Sequence, residues 1–164
     1  MTSDKNIITA RDLEYLNMAV DIAMGNIKTG GGPFGAVIAC GGDIIATASN
    51  RVTAVKDPTA HAEILAIRLA ASRLGTHELS GCTLYTSCEP CPMCLGAVYW
   101  AGIERVVYSS NRFDAAEAGF SDELIYNEIA LPPGDRTISF IHRPVDNGTQ
   151  VFREWKDYPG KIPY

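Results

Sequence analysis

The sequence predicts a three-layer α/β/α sandwich around a mixed five-stranded sheet, and three observations carry that expectation. A long amphipathic segment opens the chain, two short apolar runs separated by Gly41-Gly42-Asp43 read as a β-hairpin, and strands and helices then alternate. At 164 residues with 46% hydrophobic content, the chain is long enough for one domain, residues 1–164, with a sizeable core.

Ala10 to Lys28 reads as the first helix, with Leu13, Leu16, Ala19, Val20, Ala23, Met24 and Ile27 recurring at helical intervals as its packing face. Thr29-Gly30-Gly31-Gly32-Pro33 ends it. Phe34 to Cys40 and Ile44 to Ala48 form the hairpin strands. The three glycines are not a phosphate loop, because they precede a strand and no Gly-Lys-Ser/Thr follows. Asp57-Pro58 is a helix-start signal, predicting a helix from about Pro58 to Leu74 that stops at Gly75 and buries Ile64, Ile67, Ala71 and Leu74. Gly81 to Thr86 reads as a strand, Pro90 opens a helix containing Cys91, Cys94, Ala97, Val98 and Ala101, and Ile103 to Tyr108 is a further strand. Asn111 to Ala130 is mostly helical with a break near Gly119. Pro132-Pro133-Gly134 turns into a fifth strand over Thr137 to His142, and a short helix ends near Tyr158-Pro159-Gly160.

Composition narrows the partners. A formal net charge of −5 lacks the basic excess of a protein that neutralises many phosphates, which argues against nucleic acid as a partner and favours a small molecule. No apolar run reaches membrane-spanning length and Met1 to Asn6 shows no leader pattern, so a soluble, unsecreted protein is expected. Five cysteines, three of them between Cys88 and Cys94, suit metal binding in a reducing compartment, the cytoplasm, better than a disulfide framework. Cys40 and Cys82 read as small core residues, and His77 and His142 as exposed.

The chemistry concentrates in His61-Ala62-Glu63 and Thr86 to Cys94. His61, Cys91 and Cys94 supply three ligands for one zinc ion and leave its fourth position open. Near the first turn of a helix, His61 and Glu63 can both overhang the helix mouth, since side chains lean toward the N-terminus. Cys91 and Cys94 share one face of the next helix, and two helix N-termini converge where partial positive charge favours thiolates. Zinc in such a site lowers the pKa of bound water from about 15.7 to about 7, and Glu63 is the natural proton carrier. The competing arrangement is a closed structural site in which Cys88 is a fourth ligand and Glu63 merely an exposed helix residue.

H-x-E followed by P-C-x-x-C is the signature of zinc-dependent nucleobase deaminases, and the resemblance extends further. Gly31 to Val37, Asp57 to Glu63, Leu84 to Ala97, Asp114 to Phe120 and the terminal Tyr164 resemble the small bacterial guanine deaminases over nearly the whole chain. The resemblance implies a cytidine-deaminase-like fold, one zinc per subunit, and hydrolysis of guanine at its amine-bearing carbon to xanthine and ammonia. It also implies a homodimer that exchanges a C-terminal segment of about residues 143–164. By position, Phe34, Asn50, Ala62, Asp122 and Tyr164 would contact the base, with Asp114 an alternative to Asp122 and Trp100 either a pocket or a packing residue. The ending Lys161-Ile162-Pro163-Tyr164 departs from the charged ending of that family. Guanosine, cytosine or an aminotriazine such as ammeline, adenosine in tRNA, and a noncatalytic zinc-binding module are the alternatives.

Overall fold

A computed structural model describes residues 6–163. In chain order the elements are α1 (Ala10–Lys28), β1 (Gly35–Cys40), β2 (Asp43–Ser49), α2 (Val52–Val55), α3 (Ala62–Leu74), β3 (Cys82–Cys88), α4 (Pro92–Trp100), β4 (Arg105–Ser110), α5 (Arg112–Glu117), α6 (Glu123–Ala130), a 3-10 turn (Pro133–Asp135) and α7 (Gln150–Asp157). Two compact units divide between Asp122 and Glu123.

The first unit is built on a sheet of order β2-β1-β3-β4. β1 pairs antiparallel with β2 and β3, whereas β3 and β4 run parallel with α4 as the crossover, so the sheet is mixed as expected. Strand alternation sends Val37, Ala39, Tyr85 and Val107 to one face, where Tyr15 and Ala19 of α1 cover them. Ala36, Ile38 and Leu84 face the other way, against Ala62, Ala66 and Ala70 of α3 and Val98 of α4. Alanines four apart bring α3 close to the sheet, and each fully buried Ile38 or Leu84 contributes roughly 1.5–3 kcal/mol. On the opposite face, Gly35 lets α1 approach: a Cβ there would lie 2.3 Å from the Ala19 carbonyl oxygen.

Several expectations are corrected. The sheet has four strands, not five, because residues 137–142 pair with no strand among the described residues. In that segment the Glu128 carboxylate accepts from Thr137 N at 2.7 Å, and Ile138 and Ile141 are exposed. Alternating apolar residues make a segment extended, but a strand needs a partner. The buried face of α1 is Asp12, Tyr15, Ala19, Ala23 and Asn26, while Leu13, Met24 and Ile27 are exposed. Polar residues with partners inside the fold rotate the stripe away from the purely apolar reading.

α3 starts at Ala62, not Pro58. Asp57 instead accepts from the backbone and hydroxyl of Thr59 at 2.8 and 2.7 Å, so Asp57-Pro58 makes a turn before the helix. The buried residues of α3 are Ala62, Glu63, Ile64, Ala66 and Ala70, and Leu74 is exposed. Pro92 rather than Pro90 occupies the first turn of α4, with Cys91 as its N-cap. Cys40 and Cys82 are not separate core thiols: they face one another on β1 and β3, with Cα atoms 4.2 Å apart, and form a disulfide.

The second unit contains α6, the 3-10 turn and α7. The Arg136 guanidinium donates to the Glu128 and Leu131 carbonyl oxygens at 3.1 and 3.2 Å, closing the end of α6. Phe152 and Trp155 of α7 are both exposed in the single chain.

Candidate active site

His61 and Cys91 are the N-cap residues of α3 and α4, each in extended conformation, and Cys94 lies in the first turn of α4. His61 Nδ1 stands 3.6 Å from the Sγ atoms of both Cys91 and Cys94. A tetrahedral zinc with Zn–N of about 2.0 Å and Zn–S of about 2.3 Å separates nitrogen and sulfur by about 3.5 Å, so the spacing fits that ion. All three ligand atoms lie within 4.8 Å of one another, and theirs is the metal-competent cluster among the described residues.

Cys88 stays outside the cluster. Its Sγ lies 3.5 Å from the Asn111 carbonyl oxygen, and burial pushes its thiol up to about 11. A closed four-ligand site is therefore not what the fold assembles.

Electrostatics around the cluster favour one thiolate in the metal-free protein. The Cys94 thiol donates to Cys91 and, with His61, holds Cys91 down at about 4, while that same bond pushes Cys94 well up. The Cys91 thiolate in turn raises His61. Glu63, in the first turn of α3 and 4% exposed, is raised chiefly by burial and hydrogen-bonds Cys94. The helix boundary explains how residues two apart serve one place: His61 lies before the helix and Glu63 within it, so their side chains need not diverge as they would in mid-helix. A carboxyl group held dry beside a metal-binding triad is suited to proton transfer.

The other candidate positions are distributed as follows. Phe34 packs edge-on against Phe120 with ring centroids 5.0 Å apart, on the segment entering β1. Asn50, which follows the last residue of β2, is buried, and its Oδ1 accepts from Val52 N at 3.2 Å. Ala62 is fully buried at the start of α3. Asp122 is half-buried and raised by burial, with the Cys91 thiolate adding to the shift. Asp114 is exposed and completes a capping box with Asn111, accepting from its backbone at 2.8 Å. Trp100, 72% exposed, lies at the far end of α4 from Cys91 and does not pack into the core. Tyr164 lies outside the described residues.

Three supporting residues escaped the sequence reading. Glu89 accepts from Arg112 N at 3.1 Å, tying the segment after β3 to α5. Ser87 Oγ accepts from Gly35 N at 3.1 Å, fixing the start of β1. Asn26 Nδ2 donates to the carbonyl oxygens of Gly32 and Asn50 at 2.8 and 2.9 Å. The small residues at Gly31 and Gly32 were the signal for a packed amide beside them.

Comparison with known proteins places this geometry. The cytidine and deoxycytidylate deaminase zinc-binding region matches residues 9–110. The guanine deaminase of Bacillus subtilis (strain 168) is 50% identical over 92% of this chain and 97% of its own length. A tRNA-specific adenosine deaminase of Aquifex aeolicus is 36% identical over 86% of this chain and 91% of its own. An X-ray structure of guanine deaminase from Bacillus subtilis superposes with a TM-score of 0.91 at 47% identity, covering 96% of this chain and 99% of that one. With its His-Cys-Cys cluster at two converging helix starts, the chain belongs to the zinc-binding cytidine and deoxycytidylate deaminase family.

Proposed function

We propose that this protein hydrolyses guanine to xanthine and ammonia. The observation that carries the reading is the buried Glu63 carboxyl beside the His61, Cys91 and Cys94 cluster, in a chain 50% identical to a guanine deaminase over 92% of its length. His61, Cys91 and Cys94 would hold the zinc, which when bound would acidify a water molecule to a pKa of about 7 and so provide the nucleophile. Glu63 takes the proton released as the water oxygen bonds to the amine-bearing carbon. It passes that proton to the neighbouring ring nitrogen, then takes the second proton from the newly bonded oxygen and gives it to the amine, so that the C–N bond breaks as the ring carbonyl forms and ammonia leaves.

Phe34 would give the base a stacking surface, and Asn50 and Asp122 would pair with its polar edge. The Ala62 backbone would line the base from the start of α3. Burial that raises Asp122 suits a carboxyl that binds a polar base edge away from water.

We also infer one 164-residue deaminase domain that works as a homodimer, exchanging about residues 143–164 so that Tyr164 closes the partner's site. Exposure of Phe152 and Trp155 on α7 supports a segment that finds its cover in a second chain. A cytoplasmic setting would keep Cys91 and Cys94 reduced and available as ligands, with the Cys40–Cys82 bridge the exception to what such a setting favours. No helix among the described residues is long and apolar enough to cross a membrane.

The alternative with specific support is adenosine in tRNA, because the Aquifex aeolicus relative spans most of the chain at 36% identity. The net charge of −5 favours the small base. Incubating zinc-loaded protein with guanine, guanosine, adenine, cytosine, cytidine, ammeline and tRNA, and identifying each product, separates these readings. Xanthine from guanine with little turnover elsewhere is expected; preferred turnover of any other substrate would replace guanine. Mixed dimers of Glu63 and Tyr164 variants test the exchange, with restored activity expected and its absence contradicting it.

A further inference from the structure

We propose that Asn26 is a positioning residue that sets the base-binding walls and governs substrate affinity, leaving the chemical step to the metal cluster and Glu63. It rests on the reading of Phe34 and Asn50 as base contacts.

Asn26 ends the buried face of α1 and is 8% exposed. Both protons of its amide go to backbone carbonyl oxygens of two separate segments: Gly32, in the turn that follows α1, at 2.8 Å and Asn50, just after β2, at 2.9 Å. These segments are joined to each other as well, since Phe34 N donates to Gly32 O at 2.8 Å and Asn50 N donates to Phe34 O at 3.0 Å. Asn26, Gly32, Phe34 and Asn50 therefore form a closed ring of hydrogen bonds, with the amide as its only side-chain member. The main-chain carbonyl of Asn26 also accepts from Thr29 N at 3.0 Å and Gly31 N at 2.9 Å, so the same residue shapes the turn leading to Phe34.

A buried amide making both donations to loop backbone fixes two loops at once; losing it leaves the Asn50 carbonyl to find a new partner and Gly32 O with the Phe34 amide alone. Nothing in the ring touches His61, Cys91, Cys94 or Glu63 through a hydrogen bond among the described residues. Loss of the clamp should thus misplace Phe34 and Asn50 and weaken binding while sparing proton transfer. Gly31 offers an independent way to disturb the amide: an added Cβ would lie 2.2 Å from Asn26 Nδ2, at a backbone conformation open to alanine.

The test compares zinc-loaded parent, Asn26→Ala, Gly31→Ala, the double variant and Asn50→Ala, reading kcat and KM for guanine, calorimetric binding of xanthine, and thermal melting. KM and the xanthine Kd are expected to rise about tenfold in both single variants while kcat stays within about twofold. The double variant should match Asn26→Ala alone, because truncating Asn26 makes room for the Gly31 methyl. Unchanged affinity in Asn26→Ala while Asn50→Ala loses binding would overturn the positioning role. Parent-like affinity in Asn50→Ala would instead remove the underlying base-contact reading, and the proposal with it. A kcat loss that tracks the unfolded fraction, with KM unchanged, would reduce Asn26 to a stability residue and overturn the proposal. Should Asn26→Ala fail to fold, Gly31→Ala, which retains the amide, decides between the same outcomes.

Discussion

Nδ1 of His61 and Sγ of Cys91 lie 3.6 Å apart, although 30 residues separate them, because each is the N-cap of its helix. No side-chain cap bond ties up His61 or Cys91, and the Cys94 thiol and backbone N–H favour the Cys91 thiolate, so both remain available for a shared ion.

Zinc content follows from that pairing. Elemental analysis is expected to find one zinc per chain in the parent and in Cys88→Ala, and almost none in Cys91→Ala or Cys94→Ala. Loss of zinc from Cys88→Ala would move Cys88 into the ligand set, against its position at the Asn111 carbonyl.

Glu63→Gln should keep its zinc and lose about 100- to 10,000-fold in turnover with guanine. The metal-free protein adds a pH signature. Burial raises the folded pKa of Glu63 above its ordinary 4.5, so stability is full below that value and falls as pH rises toward the folded pKa. Metal-free Glu63→Gln is therefore expected to melt above the metal-free parent at pH 7 and alongside it near pH 4. Equal melting at both pH values would mean that Glu63 is not held dry.

The His61, Glu63, Cys91 and Cys94 constellation was legible because its members sit in two short motifs at recognisable helix starts. Periodicity and turn signals also located α1, the hairpin, the bodies of α3 and α4 and the break near Gly119, but not the short α2. They misplaced the starts of α3 and α4 by a few residues, because Asp57 closes a local turn on Thr59 and Pro92 opens α4; their other misses share one character, partners supplied from elsewhere in the fold. Asp12 and Asn26 look like solvated helix residues until the sheet and the Gly32 loop arrive to satisfy them, although Thr9-x-x-Asp12 and Asn111-x-x-Asp114 already had capping-box spacing. The Cys40–Cys82 bridge depends on the β1–β3 register, and the absence of a strand over residues 137–142 depends on pairing, so neither is written locally.

Asp12 joins α1 to β3 and β4 by accepting from Tyr85 OH at 2.7 Å and from Arg105 at 2.6 Å. Arg105, first among its partners, holds Asp12 well below the ordinary 3.8. Its contribution is therefore complete above about pH 4 and is lost as pH falls below 3.8 toward the folded pKa. Asp12→Ala should cost about 3 kcal/mol in denaturant titrations at pH 7, because it removes the Arg105 ion pair and the Tyr85 hydrogen bond together. The cost should shrink below pH 3.8; a pH-independent difference would contradict the ion-pair origin.

Cys40 and Cys82 bridge the end of the sheet remote from the metal ligands: Cys82 opens β3, and the ligand segment follows its last residue, Cys88. At about 3.3 Å per residue, the length of β3 separates bridge and site by about 20 Å. Cys40→Ser/Cys82→Ser should lower stability by about 2–4 kcal/mol through the released 42-residue separation, with zinc content and kcat unchanged. Loss of zinc in that variant would couple the two ends of the sheet.

The most direct measurement is xanthine and ammonia release from guanine by the purified protein before metal removal, after chelation, and after zinc is restored. Equimolar xanthine and ammonia, abolished by chelation and recovered with one zinc per chain, is the expected result. Xanthine formation that survives complete metal removal, or a fully zinc-loaded protein that leaves guanine unchanged, would contradict zinc-dependent guanine deamination at His61, Glu63, Cys91 and Cys94.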